Sequence, residues 1–116
     1  DMMYMPDALR AVMELMEADA SNLEHRNAFN LTAMAFTPAD LAREITRHMP
    51  DFLMEYSVDP VRQEIADSWP DLLDDSAARA EWGWKPEYDL ARMTKEMLQR
   101  VSDRLPERTE TPAWRR

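Results

Sequence analysis

Cysteine is absent from the 116 residues. That excludes a disulfide framework, a thiolate metal site and a cysteine nucleophile, and it fits a reducing compartment. Glycine occurs once, at Gly83. A lone glycine cannot build a Gly-rich dinucleotide loop or a phosphate-cradling P-loop, where several positions must let the backbone turn tightly against a phosphate. The two histidines, His25 and His48, have no ligand spacing around them, so no metal site is expected. The longest uninterrupted apolar run covers only residues 33–36, far short of the ~20 needed to span a bilayer. No basic segment leading into an apolar one opens the sequence, so no secretory signal is read. Bases are scarce beside acids, 14 against 23, and the net charge of −9 disfavours nucleic acid and anionic membranes as partners.

Of what is present, 45% of residues are hydrophobic and 32% charged, the balance of a globular domain. Ten methionines are many for this length. Met fills core gaps and also lines adaptable binding surfaces, and helical spacing favours the core reading. Helical periodicity predicts a helix over 6–17, with Leu9, Val12, Met13 and Met16 as its apolar face, Pro6 in its first turn and Asp7 against the positive end of the dipole. Thr37, Pro38 and Asp40 open a second helix in capping-box fashion, with Leu41, Ile45, His48 and Met49 as its inner stripe and Pro50 as its stop. Residues 27–33 and 52–58 read as strands, and strand-helix-strand implies a parallel pair with a right-handed crossover. A short helix follows over 60–66, broken at Ser68-Trp69-Pro70. Leu72 and Leu73 read as briefly extended. Another helix ends at Trp82, with Gly83 as its left-handed terminus and Trp84 packing back on it. Asp89 caps the last helix, over 90–105, whose inner face carries Leu90, Met93, Met97, Leu98, Val101 and Leu105. The tail, 106–116, reads as mobile. The fold class is thus α/β, mostly helical with a short, partly parallel sheet.

The acidic pair Asp74-Asp75 has its simplest explanation as a helix cap. Arg62 and Trp69 are harder to place. Arg62 lies on a short turn between prolines, and Trp69 is a large ring on a loop, where function concentrates. The residues by themselves favour the plainer alternative, in which Trp69 plugs the core and Arg62 pairs with Asp59 or Glu64.

The run Asp59-Pro60-Val61-Arg62-Gln63-Glu64-Ile65-Ala66-Asp67-Ser68-Trp69-Pro70 resembles a segment of the L-threonine 3-dehydrogenases of the extended short-chain, epimerase-like type. Asp74-Asp75-Ser76, Ala78-Arg79 and Trp82-Gly83-Trp84 fit the same pattern, which nucleotide-sugar epimerases and dehydratases share. So do the opening Met2-Met3-Tyr4-Met5-Pro6-Asp7-Ala8, the stretch 27–30 and Phe36-Thr37-Pro38. The resemblance runs from residue 1 to about 105. It implies the small C-terminal substrate-binding part, or lid, of an NAD-dependent oxidoreductase, with the Rossmann half absent from this chain. No tyrosine here is followed four residues later by lysine, so the family's catalytic pair lies elsewhere and no catalytic residue is assigned. The resemblance puts Trp69 and Ser68 at the substrate pocket, with the Trp69 ring excluding water. Arg62 matches in approximate position an arginine that grips the diphosphate of sugar nucleotides. Threonine has none, so Arg62 is read as holding the lid to nearby acids. Met3 and Tyr4 would border the nicotinamide end of the cleft.

The expected reaction is oxidation of L-threonine to 2-amino-3-ketobutyrate, with NAD bound by the missing domain. The expected partners are that Rossmann domain and a small amino-acid substrate, in the cytoplasm, with room for a homo-oligomer. The isolated chain is expected to be inactive and to leave uncovered the apolar face that meets the Rossmann half. Two alternatives stand beside this reading. The parent could be a nucleotide-sugar epimerase or dehydratase, or the chain a stand-alone interaction module using a Met-rich face.

Overall fold

The structure is a computed structural model, and it describes residues 1–105. The tail expected to be mobile, 106–116, lies outside the described residues. Five helices follow one another: α1 (Met5–Glu17), α2 (Pro38–His48), α3 (Pro60–Asp67), α4 (Ser76–Trp82) and α5 (Leu90–Arg104), with a 3₁₀ turn at Ala20–Asn22. Local chemistry explains their starts. Pro occupies the first turn of α1, α2 and α3, where its missing N–H leaves no bond unmade. At α2 the capping box is complete: Thr37 Oγ1 accepts from the Asp40 amide at 3.2 Å, and Asp40 Oδ2 accepts from the Thr37 amide at 2.9 Å. Asp59 and Asp89 cap α3 and α5 by accepting from the amides of Val61 and Arg62, and of Arg92. At α4 the acidic pair divides its work. Asp74 accepts from the Ser76 amide at 2.9 Å, whereas Asp75 makes no capping bond and accepts from Arg79 Nε at 2.7 Å.

Gly83 ends α4 with φ +77, the left-handed region where a Cβ is strained. The amides of Gly83 and Trp84 both close on the Ala78 carbonyl. The reversal drives Trp84 into the small core, where it is 2% exposed beside Ala11 and Ala78, with Met3, Phe29, Leu31 and Trp82 around it. Its indole N–H donates to the Thr32 carbonyl at 3.0 Å, so the ring is buried with its polar atom satisfied. The Arg10 guanidinium lies 4.9 Å over the ring.

The expected parallel sheet is not formed. Among the described residues there is no strand, only an isolated antiparallel bridge between Met2 and Met34. The reason is where residues 27–36 spend their bonding groups. Met34 exchanges both backbone bonds with Met2, at 2.8 and 3.2 Å, and the Thr32 carbonyl serves Trp84. Residues 53–58 form no regular element and are exposed, with Leu53 90% exposed. Phe29 and Leu31 are partly buried against the cluster of Ala11, Ala78 and Trp84 rather than set in a ladder.

Three apolar faces also differ from their expected burial. In α1 the buried residues are Asp7 and Ala11, while Leu9, Val12, Met13 and Met16 are exposed. In α2 the buried residue is Glu44, while His48 and Met49 are exposed. Helix α5 buries Met93 and Thr94 and leaves Met97, Val101 and Leu105 exposed.

The orientation of α1 is set by Asp7, whose side chain is 1% exposed. Its carboxylate accepts from the amides of Glu87 and Tyr88 at 2.9–3.1 Å and from Arg10 Nη2 at 2.8 Å. Arg10 in turn donates to the Lys85 carbonyl at 2.7 Å. Burial pushes the Asp7 carboxyl up, and the bonds from Arg10, Tyr88 and Glu87 outweigh it, so the carboxyl sits below its ordinary 3.8. Because the folded value is the lower one, this stabilisation is complete above about pH 4 and is lost as pH falls through the folded value. Asp7→Ala is expected to remove about 3 kcal/mol and to flatten the acid limb of a urea-stability profile measured against pH. Gly83→Ala is expected to cost only about 1 kcal/mol, read by urea denaturation, because no atom lies within 4 Å of the added Cβ and the strain is in φ alone.

Candidate functional site

The residues assigned to the substrate pocket fall into two separate groups. Trp69, Ser68 and Arg62 lie on α3 and its exit. Every residue from 53 to 74 is exposed, so this arm stands clear of the core. It is shaped by its own bonds. Asp59 Oδ1 accepts from the amides of Val61 and Arg62 at 3.0 and 3.2 Å, and Ser68 Oγ donates to the Ile65 carbonyl at 2.7 Å. The Ser68 amide is shared between the Glu64 and Ile65 carbonyls, and the Trp69 amide closes on Ala66 at 3.1 Å. Ser68 is thus occupied in ending the helix, and that ending throws Trp69 outward, 69% exposed.

The plainer expectation that Trp69 plugs the core is therefore corrected. The core indole is Trp84, which the turn at Gly83 carries inward. Arg62 does meet Asp59, as the plainer reading had it, but loosely: Nε stands 3.8 Å from Oδ2 and the side chain is 87% exposed. An exposed pair at that distance contributes little and leaves the guanidinium available. Arg62 lines an open recess of about 260 Å³ with Tyr56, Ser57, Val58, Gln63 and Ala66.

Met3 and Tyr4 stand in the body of the chain. Met3 packs against the core. Tyr4 meets Tyr88 edge-on at 4.8 Å, and its hydroxyl points to Glu96 at 3.5 Å. Tyr88 donates to Glu96 Oε2 at 2.7 Å, and Arg100 pairs with the same carboxylate at 2.7 Å. The Glu96 bond, with desolvation, holds the Tyr88 phenol above its usual value, while the Tyr88 bond, with Arg100, holds Glu96 below its own. The two groups are linked through Asp1, whose carboxylate accepts from the Thr32 hydroxyl beside the Met2–Met34 bridge and from the Leu73 amide past Trp69. The structure therefore ties the arm to the start of the chain through Asp1, while Met3 lies at the core and Tyr4 at Tyr88 and Glu96. Glu96 was missed as the centre of this cluster. The i, i+4 spacing of Glu96 and Arg100 was its one signal.

Among the described residues no glycine-rich phosphate cradle is formed. Gly83 terminates a helix instead of cradling a phosphate, and the N-termini of α2, α3 and α5 are closed by their own Thr37, Asp59 and Asp89 side chains. No cluster of His, Asp and Glu among the described residues is placed to hold a metal ion. No helix among them is long and apolar enough to cross a membrane.

No protein-family model matches the chain. It is 54% identical over 104 residues to an uncharacterised epimerase/dehydratase of Staphylococcus haemolyticus, covering 90% of this chain and 33% of that protein. Among solved structures, L-threonine dehydrogenase of Clostridium difficile superposes with a TM-score of 0.84 at 58% identity, over 89% of this chain and 32% of that one. The GalE-like L-threonine dehydrogenase of Cupriavidus necator superposes with a TM-score of 0.81 at 51% identity, over 86% and 36%. The chain spans about a third of the length of each of these relatives. Over nearly all its described length, then, its sequence and its arrangement of helices are similar to one third of an L-threonine dehydrogenase of the epimerase/dehydratase type.

Proposed function

We propose that residues 1–105 are the substrate-closing, C-terminal part of an NAD-dependent L-threonine 3-dehydrogenase, which oxidises L-threonine to 2-amino-3-ketobutyrate in the cytoplasm. The observation that carries this reading is the exposed arm: a projecting indole at Trp69 and a loosely paired guanidinium at Arg62, on a helix held to the body through Asp1. The identity to L-threonine dehydrogenases supports it. The cofactor and the proton-transferring groups belong to the remainder of such an enzyme, and this chain contributes enclosure. An indole closing over a small polar substrate displaces water and strengthens the electrostatics around it. Arg62 is a cation of suitable chemistry for an amino-acid carboxylate. Ser68 sets the direction of Trp69 through its bond to Ile65, and Met3 and Tyr4 border the nicotinamide end of the cleft. The epimerase/dehydratase names of other relatives keep one second reading, a sugar-nucleotide substrate.

The test joins this chain to the other two thirds of the Clostridium difficile relative. The hybrid is expected to form NADH with L-threonine and not to turn over UDP-sugars. Turnover of a UDP-sugar without threonine oxidation would overturn the assignment. NADH formation by the 116-residue chain alone would overturn the division of labour. In the hybrid, Trp69→Ala and Arg62→Ala are each expected to raise KM for L-threonine roughly tenfold, about 1.4 kcal/mol, with NAD affinity unchanged in a fluorescence titration.

A further inference from the structure

The arm that carries Arg62 and Trp69 is entered through residues 53–58, which form no regular element and are exposed. Past Trp69 a single carboxylate reaches across the chain. Asp1 Oδ2 accepts from the Leu73 amide, and Asp1 Oδ1 accepts from the Thr32 hydroxyl. Both oxygens are thus committed, and the base they stand on is fixed. The adjoining Met2 exchanges two backbone bonds with Met34, at 2.8 and 3.2 Å, which orients the backbone bearing the carboxylate. Thr32 is buried, and its carbonyl accepts from the indole N–H of Trp84 in the core at 3.0 Å. The carboxylate is a preformed link from the core to the chain just beyond Trp69. A hydrogen bond to an ionised acceptor is also stronger than a neutral one.

We infer that Asp1 is a positioning residue of the substrate-closing arm, acting on Trp69 through Leu73, an inference that rests on the function proposed above. Leu73 stands four residues beyond Trp69, and the next buried residue, Asp75, stands six beyond it. With the Leu73 tie made, Trp69 is held within about 14 Å of a fixed point; with the tie open the limit is about 21 Å, at ~3.5 Å per extended residue. The volume open to the indole grows as the cube of that ratio, roughly threefold. Pro70 keeps the first link of the connection stiff. Asp1 therefore concentrates the ring where it meets substrate, without touching substrate itself. The same bonds dictate which replacement is tolerated. An asparagine retains both links, its oxygen accepting from the Leu73 amide and its NH₂ donating to Thr32 Oγ1, whereas an alanine retains neither.

Two measurements test this. In the 116-residue chain, followed by NMR, Asp1→Ala is expected to speed deuterium exchange at the Leu73 amide about tenfold. The Trp84 indole N–H, bonded inside the core, is expected to keep its protection, which separates loss of the tie from loss of folding. In the hybrid with the Clostridium difficile relative, Asp1→Ala is expected to raise KM for L-threonine about threefold, with kcat and NAD affinity unchanged, and Asp1→Asn to retain the parent KM. A residue that served folding alone would lower kcat with the amount of folded enzyme and leave KM where it was. An Asp1→Ala hybrid with the parent KM overturns the inference, and so does Leu73 exchange that is indifferent to Asp1→Ala. Asp1→Asn as impaired as Asp1→Ala overturns it too, because the two hydrogen bonds would not be the cause. A hybrid that binds NAD but fails to oxidise L-threonine overturns the function proposed above and leaves the Leu73 result standing, so the two failures are distinguishable.

Discussion

The arrangement of the chain depends on a carboxylate in an unlikely place. Asp7 is buried, yet it is fully bonded, to two successive amides at Glu87 and Tyr88 and to its own helix neighbour Arg10. Removing one partner of such a set leaves the others unpaired away from water, so the set holds as a unit. It fixes α1 against the loop between α4 and α5. Arg10 extends the clamp to the Lys85 carbonyl and over the Trp84 ring, and Trp84 carries it to Thr32. One ion pair therefore joins the beginning of the chain, its middle and the segment before α5.

That clamp has a consequence for the opposite side of α1. A helix pinned by its polar side must turn its apolar side out. The small core of Ala11, Ala78 and Trp84 is what remains when the larger stripe is withheld from it. Burial in this chain is accordingly thin, and the exposed methionines and leucines outnumber the buried ones. The same logic applies at α3. Its caps are local, its residues are all exposed, and past Trp69 the Leu73 amide ties it to Asp1.

Features governed by neighbours in the chain were legible in the residues. The helices start at Thr37, Asp59 and Asp89 because a short polar side chain followed by Pro or a helix former can satisfy an amide two or three positions on. Gly83 marks an end because other residues resist positive φ. The arm around Arg62 and Trp69 was also visible, as a loop between prolines, although without the family pattern the residues pointed Trp69 into the core. Two indoles competed for that core, and periodicity has no means of ranking them.

The sequence by itself determined where the helices begin and end, that no phosphate loop can form, and which side chains lie together on each helix. Those follow from interactions over at most four or five residues. Only the tertiary structure decided which side of each helix faces inward, that residues 27–36 pair with Met2 instead of with 52–58, and that Trp84 rather than Trp69 is enclosed. Each of those choices is made by bonds between residues up to 80 or so positions apart, such as Asp7 to Glu87 and Tyr88. A polar group can outweigh a stripe of hydrophobes when its bonds are complete.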